Sequence, residues 1–304
     1  MTIASPPGSA LKYGMGFSLS PGGIAPPAPV VLFPATAPRV PLLFVSAHSG
    51  RFYPESFLQA SRLDPQTLRC SEDGLVDELF ARAPSLGAPL LTATFPRAFC
   101  DANRAPWELD PDMFEDPLPP WVDTLSPRVL SGLGTIARIV ASGKPIYRRK
   151  LRFAEAERRV REYWEPFHAA LGAALQATQE KFGRCLLGDC HSMPAGYVAP
   201  AKSADFVLGD AYGQSCRIET TRLAMEALRG MGYRVHRNVP YAGGYITSHY
   251  GRPREGIQAL QIEISRGLYL DEVSREPLGS RARLEENLTR LIEALARLVE
   301  MDEF

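Results

Sequence analysis

Two histidines close apolar runs in this chain, and their surroundings suit a metal ion. His191 lies in Gly188-Asp189-Cys190-His191-Ser192, directly after Cys185-Leu186-Leu187. His48 ends the run Leu42-Leu43-Phe44-Val45-Ser46-Ala47-His48. The chain holds five histidines, so two in matching positions point to one shared ion. The carboxyl ends of strands are where open α/β sheets collect ligands and chemistry. Small neighbours, Ser49, Gly50, Gly188 and Ser192, leave room for an ion and a substrate. A hydrolytic zinc ion takes three protein ligands from His and carboxylate and keeps one position for water. Two histidines therefore require an acid, and the candidates are Asp73, Glu72, Glu55 and Asp189. Asp73 also reads as a charge at the start of a helix. Asp189, two residues before His191 on one side of a strand, also reads as the group that orients that imidazole from behind.

Three further stretches carry chemical potential. In Ala259-Leu260-Gln261-Ile262-Glu263-Ile264-Ser265 the apolar residues share one face, and Gln261, Glu263 and Ser265 share the other. A carboxylate there is costly unless paired or working. Glu263 is therefore either a salt-bridge partner, for instance of Arg266, or a base for a water on the ion. Asn103-Arg104 ends a predicted short strand, and a guanidinium grips a carboxylate through two parallel hydrogen bonds. The bland alternative pairs Arg104 with Asp101. The stretch from Asn238 to Thr247 reads as a binding loop or a hairpin turn: Gly243 and Gly244 permit close backbone approach, and Tyr241 adds rigid surface. His168, His236 and His249 read as structural or solvated, and Cys190 as a packing residue facing away from Asp189 and His191.

The elements that must position these groups alternate between helix and strand. Apolar runs predict strands over 42–47, 88–93, 97–101, 184–188, 205–208 and 257–265, with another around Val235-His236. Helical spacing predicts helices over 71–83, 127–142, 152–182, 214–230 and 281–300, with a kink or division at Pro166. The proline-rich segment 105–125 reads as a long loop near the site, and residues 1–40 as an irregular segment ahead of a single domain over 41–304. The fold class is α/β, with a mixed, mostly parallel sheet sandwiched by helices.

Composition narrows the function. Lys+Arg and Asp+Glu both number 34, so no net field draws nucleic acid or an anionic membrane. No apolar stretch approaches the ~20 residues of a membrane span, and no secretory signal is legible. Five scattered cysteines without a close pair argue for reduced thiols in the cytoplasm.

Six of these stretches, in order from about residue 42 to 272, resemble the N-formylglutamate amidohydrolase family. They are His48-Ser49-Gly50 with Pro54, Asp73 through Leu79, Arg97 through Arg104, Asp189 to Ser192, Pro240 to Gly244, and Gln261 to Glu272. One departure is Val239, where many members carry Asp before the Pro-Tyr pair. The resemblance implies a zinc carboxypeptidase-like (phosphorylase/hydrolase-like) fold and one Zn2+ held by His48, His191 and Asp73. It also implies Glu263 as general base, Asn103 and Arg104 on the substrate carboxylate, and Arg97 on the scissile carbonyl. The implied reaction cleaves a small acidic N-acyl amino acid, N-formyl-L-glutamate first, in amino-acid (histidine) degradation. The alternatives are a zinc amidase or carboxypeptidase for another N-acyl amino acid or cell-wall peptide, and a silent binding module.

Overall fold

The computed structural model describes residues 2–3, 26–196 and 203–300. Among them, one sheet contains β1 (Thr2–Ile3), β2 (Val30–Phe33), β3 (Leu42–Ser46), β4 (Leu90–Ala93), β5 (Cys185–Met193), β6 (Phe206–Gly209), β7 (Val235–Arg237) and β8 (Ile257–Ser265). Their spatial order is β1-β2-β4-β3-β5-β8-β6-β7. The pairs β2–β4 and β6–β8 are antiparallel and the other neighbours are parallel.

A mostly parallel sheet needs apolar cover on both faces, and the side-chain alternation of β3 supplies it. Leu43 and Val45 enter one core with Phe167, Leu171 and Leu175 of the helix Glu165–Phe182. Leu42 and Phe44 enter the opposite core, with Ala224 and Leu228 of the helix Ile218–Gly230. The same core takes Leu288, Leu291 and Leu295 of the helix Arg281–Glu300. Each buried leucine contributes roughly 1.5–3 kcal/mol, which is what seats these amphipathic helices. The expected α/β class, a mixed sheet between helices, is the one observed. Among the described residues no helix is long and apolar enough to cross a membrane.

β5 and β8 are the scaffold of the site. They pair in parallel over nine residues, placing Asp189 beside Gln261 and His191 beside Glu263. All four therefore share one face of the sheet, while Cys190, Leu260, Ile262 and Ile264 fill the core behind it. Cys190 is the packing residue expected, and burial raises its thiol well above the ordinary range.

Several elements differ from expectation for local reasons. β5 runs well past 188, so His191 lies inside a strand. The helix expected over 71–83 shrinks to Val76–Leu79 between 3-10 turns at Arg69–Ser71 and Ala83–Leu86. Leu75 takes a left-handed φ of 65°, which breaks the winding, and Glu72 and Asp73 turn inward. No strand forms over 97–101: Phe99 and Cys100 both bond back to the carbonyl of Pro96, forming a turn. The segment 127–142 is helical only over Pro127–Leu130, and Gly132, at φ 76°, follows its end. The irregularity expected at Pro166 is a π turn over Val160–Trp164, which joins Phe153–Arg159 to Glu165–Phe182 and accommodates the missing N–H. Residues 1–40 are not uniformly irregular, because the apolar Val30–Phe33 pairs with β4. The segment 105–125 holds a 3-10 turn at Pro111–Met113 and isolated bridges.

Candidate active site

The two imidazoles and one carboxylate converge at the carboxyl ends of β3 and β5. His48 and His191 lie with ring centroids 4.7 Å apart. Their Nδ1 atoms face the same oxygen, Asp73 Oδ2, at 3.3 and 2.8 Å. One donor atom from each of the three residues lies within 4.8 Å of the other two, and all three residues are buried. Each ring's far nitrogen is held from behind: His48 Nε2 by Asp101 Oδ1 at 2.7 Å, His191 Nε2 by Asp189 Oδ1 at 2.8 Å. A carboxylate behind each imidazole fixes the tautomer and leaves Nδ1 as a lone pair aimed inward, the arrangement that metal-ligating histidines use.

Among the four acids left open by the sequence, Asp73 alone is grouped with the two histidines. Glu72 is bound by Tyr53 Oη at 2.7 Å and Arg69 Nε at 3.1 Å. Glu55 is exposed at the start of the helix Glu55–Ala60 and accepts from Gln59. Asp189 stands behind His191. Burial by itself would raise the Asp73 carboxyl, but hydrogen bonds and charge from His191 and His48 hold it well below the carboxylate range. Burial likewise opposes charge on His191, yet Asp189 and Asp73 outweigh it and raise the imidazole well above its ordinary value. A pocket that draws a proton onto His191 also draws a cation, and cation binding would release that proton.

Glu263 lies on the neighbouring strand in register with His191. Its Oε1 accepts from Gln261 Nε2 at 2.9 Å, and its buried Oε2 has no hydrogen-bond partner among the described residues. Burial pushes the carboxyl up to about 7, with Asp73 also raising it and His191 and Arg97 opposing. The salt bridge with Arg266 does not form, since Arg266 turns to Ser192, Asp73 and Glu272. A carboxyl group of this kind, with a buried oxygen left over, can exchange a proton near neutral pH.

The clamp expected of Asn103 and Arg104 is committed inside the protein. Asn103 Nδ2 lies 3.0 Å from His191 Nε2 and 3.5 Å from Asp189 Oδ2, while its Oδ1 accepts the Ile246 amide at 2.8 Å. Arg104 donates through Nε to the Leu133 carbonyl and through Nη1 to the Asn103 carbonyl. Its Nη2 lies 3.7 Å from Asp101, and desolvation lowers its pKa to about 10. Arg97 is the more open cation: among the described residues only its Nη2 is engaged, by Asp101 Oδ2 at 2.7 Å, and its charge acts on Asp73 and Glu263. Gly243 and Gly244 do permit a close approach, but to protein. Gly244 caps the helix Tyr245–Tyr250, and a Cβ there would collide with the Asn103 amide. That helix also donates Thr247 Oγ1 to Asp189 at 3.1 Å. Tyr241 packs beside Met193, Ala204 and Val207. Gly244→Ala is expected to cost roughly 1–3 kcal/mol, because the buried Asn103 is held by the Ile246 amide and by Asp101 and would have to break those bonds to make room. Chemical denaturation reads this loss, and a wild-type midpoint would contradict the close fit.

The structural reading of His168 holds, and it supports the turn that carries Asp101 and Asn103. Its Nε2 donates to the Ala102 carbonyl at 2.8 Å, and Nδ1 meets Tyr250 Oη at 2.9 Å. Desolvation lowers its pKa from 6.5 to about 4. The unfolded chain takes up that proton first, so this stability is complete above the unfolded value and is lost as pH falls towards the folded one. The loss from this group is roughly 3 kcal/mol. Melting the wild type and His168→Gln between about pH 7 and about pH 4 should show the steeper decline in the wild type. Parallel declines would count against it.

The site roles of Asp101, Thr247, Ser192 and Arg266 are set by contacts distant in sequence. The one local signal was the four-residue spacing of Arg97 and Asp101, which their ion pair uses.

A family model described as N-formylglutamate amidohydrolase matches residues 40–270. The chain belongs to the N-formylglutamate amidohydrolase family. It is 30% identical to an N-formylglutamate deformylase of Pseudomonas aeruginosa over 84% of this chain and 91% of that one. A deformylase of Pseudomonas putida is 29% identical over 84% and 92%. The crystal structure of an N-formylglutamate amidohydrolase from Ralstonia eutropha superposes with a TM-score of 0.85 at 38% identity, covering 90% of this chain and 99% of that chain. The family is one of hydrolases that act on amides.

Proposed function

We propose that this protein is a zinc-dependent amidohydrolase that cleaves N-formyl-L-glutamate to formate and L-glutamate. The convergence of two Nδ1 atoms and Asp73 Oδ2, with the unpaired Glu263 oxygen on the adjacent strand, carries the reading. Two imidazole nitrogens and one carboxylate oxygen fit the donor set of a hydrolytic zinc ion. His48, Asp73 and His191 would hold that ion, which when bound supplies Lewis acidity and a more acidic water. Glu263 takes the proton of the water that adds to the formyl carbon and returns it to the amine nitrogen as the C–N bond breaks. Arg97, whose Nε and Nη1 are uncommitted among the described residues, meets the carbonyl oxygen as negative charge develops on it. Asp101 and Asp189 keep the two rings in place throughout. The five free thiols support a reducing, cytoplasmic setting.

The acidic substrate rests on the relatives named for N-formylglutamate. One observation favours a second reading, an amidase for another N-acyl amino acid: Arg104 has already spent Nε and Nη1 on carbonyls, so its fork is not free for a carboxylate. Formate release from N-formylglutamate and from N-formyl amino acids with apolar side chains separates the two. N-formylglutamate should be fastest, and a chelator should abolish the reaction until zinc is restored. Equal rates on apolar analogues would transfer the assignment to the second reading, and chelator-resistant turnover would end the zinc mechanism.

A further inference from the structure

Asp73 has two oxygens with separate duties. Oδ2 faces both imidazoles, whereas Oδ1 accepts Ser192 Oγ at 3.0 Å and Arg266 Nη2 at 3.4 Å. Arg266 Nε donates to Ser192 Oγ at 3.0 Å, which occupies that oxygen's acceptor side and directs its proton to Asp73. Arg266 is itself tied down, with Nη1 lying 3.6 Å from Glu272, whose other oxygen accepts the Ala195 amide at 3.0 Å. Tyr269 Oη holds the adjoining Gly74 carbonyl at 2.9 Å. Ser192 and His191 project to opposite sides of β5, so Asp73 is gripped across the strand's end.

We propose that Ser192 and Arg266 are positioning residues that occupy Asp73 Oδ1 and so make Asp73 a one-oxygen donor. This rests on the metal site proposed above. An ion held by these three residues would then meet one oxygen of Asp73, and a position for water would remain. The sign of the effect separates positioning from charge. A guanidinium this close repels a divalent cation, so charge alone predicts that removing Arg266 tightens metal binding. Positioning predicts the reverse, by roughly the 10–100-fold that losing an outer partner of a metal ligand costs.

The test measures zinc affinity by chelator competition for the wild type, Ser192→Ala and Arg266→Gln, each first checked by thermal melting. It also records the visible absorption of the cobalt(II)-loaded forms. Both variants should bind zinc roughly 10–100-fold more weakly, and their cobalt spectra should lose intensity as Asp73 turns to offer two oxygens. Ser192→Ala changes no charge and keeps the test decisive if Arg266→Gln fails to fold. Wild-type affinity and spectrum in Ser192→Ala, or tighter binding in Arg266→Gln, would overturn the inference while leaving the metal site intact. A wild-type protein that binds no zinc would remove both.

Discussion

Glu263→Gln is expected to keep the bound ion and lose roughly 10²–10⁴ of its turnover, the range that general acid–base catalysis supplies. The substitution preserves shape and the contact with Gln261, but an amide cannot take a proton from water. Burial holds this carboxyl at about 7, above its ordinary 4.5. A base must be ionised, so turnover in the wild type should fall on acidification through the value it has in the loaded enzyme. A divalent cation nearby lowers that value, so the acid limb should lie below about 7. The measurement is a pH profile of kcat beside the zinc content of the variant. Near-normal turnover would dismiss Glu263 as the base.

Asp73→Asn is expected to weaken zinc binding by more than the roughly 100-fold upper range for an outer partner, because it removes the only anionic ligand of the proposed three. The neutral amide keeps the approximate contacts to Ser192 and the histidines, so folding should survive better than affinity. Glu72→Gln is the paired control. Glu72 is as buried as its neighbour, but it serves Tyr53, Arg69 and Arg275. Its loss should therefore lower the melting temperature and leave zinc stoichiometry at one. If Glu72→Gln loses the ion and Asp73→Asn keeps it, the ligand has been misassigned.

These residues divide by how their information is carried. His48, His191 and Glu263 were legible because each sits in or at the end of an apolar run, where a polar group needs a reason. The pairing of His191 with Glu263 follows once β5 and β8 are neighbours. Asp73 could not be separated from Glu72, because adjacent acids in a helix-like segment share one pattern. The left-handed Leu75 and the bond from the Asp73 amide to the His48 carbonyl decided between them. Arg104 looked like a substrate clamp because its side chain suits one. Carbonyls of Leu133 and Asn103, brought together by folding, claimed its donors.

By itself the sequence determined the α/β class, the two apolar strands that carry the site, and the identities of the chemically capable side chains. Those follow from periodicity and from the cost of burying polar groups, both local properties of the chain. Only the tertiary structure decided which acid meets the histidines, that Asp101 and Asp189 stand behind them, and that Ser192 and Arg266 occupy the second oxygen of Asp73. These contacts join residues from 2 to 193 positions apart. A hydrogen bond needs its atoms at one distance and angle, and when its partners lie far apart along the chain, only folding sets that geometry.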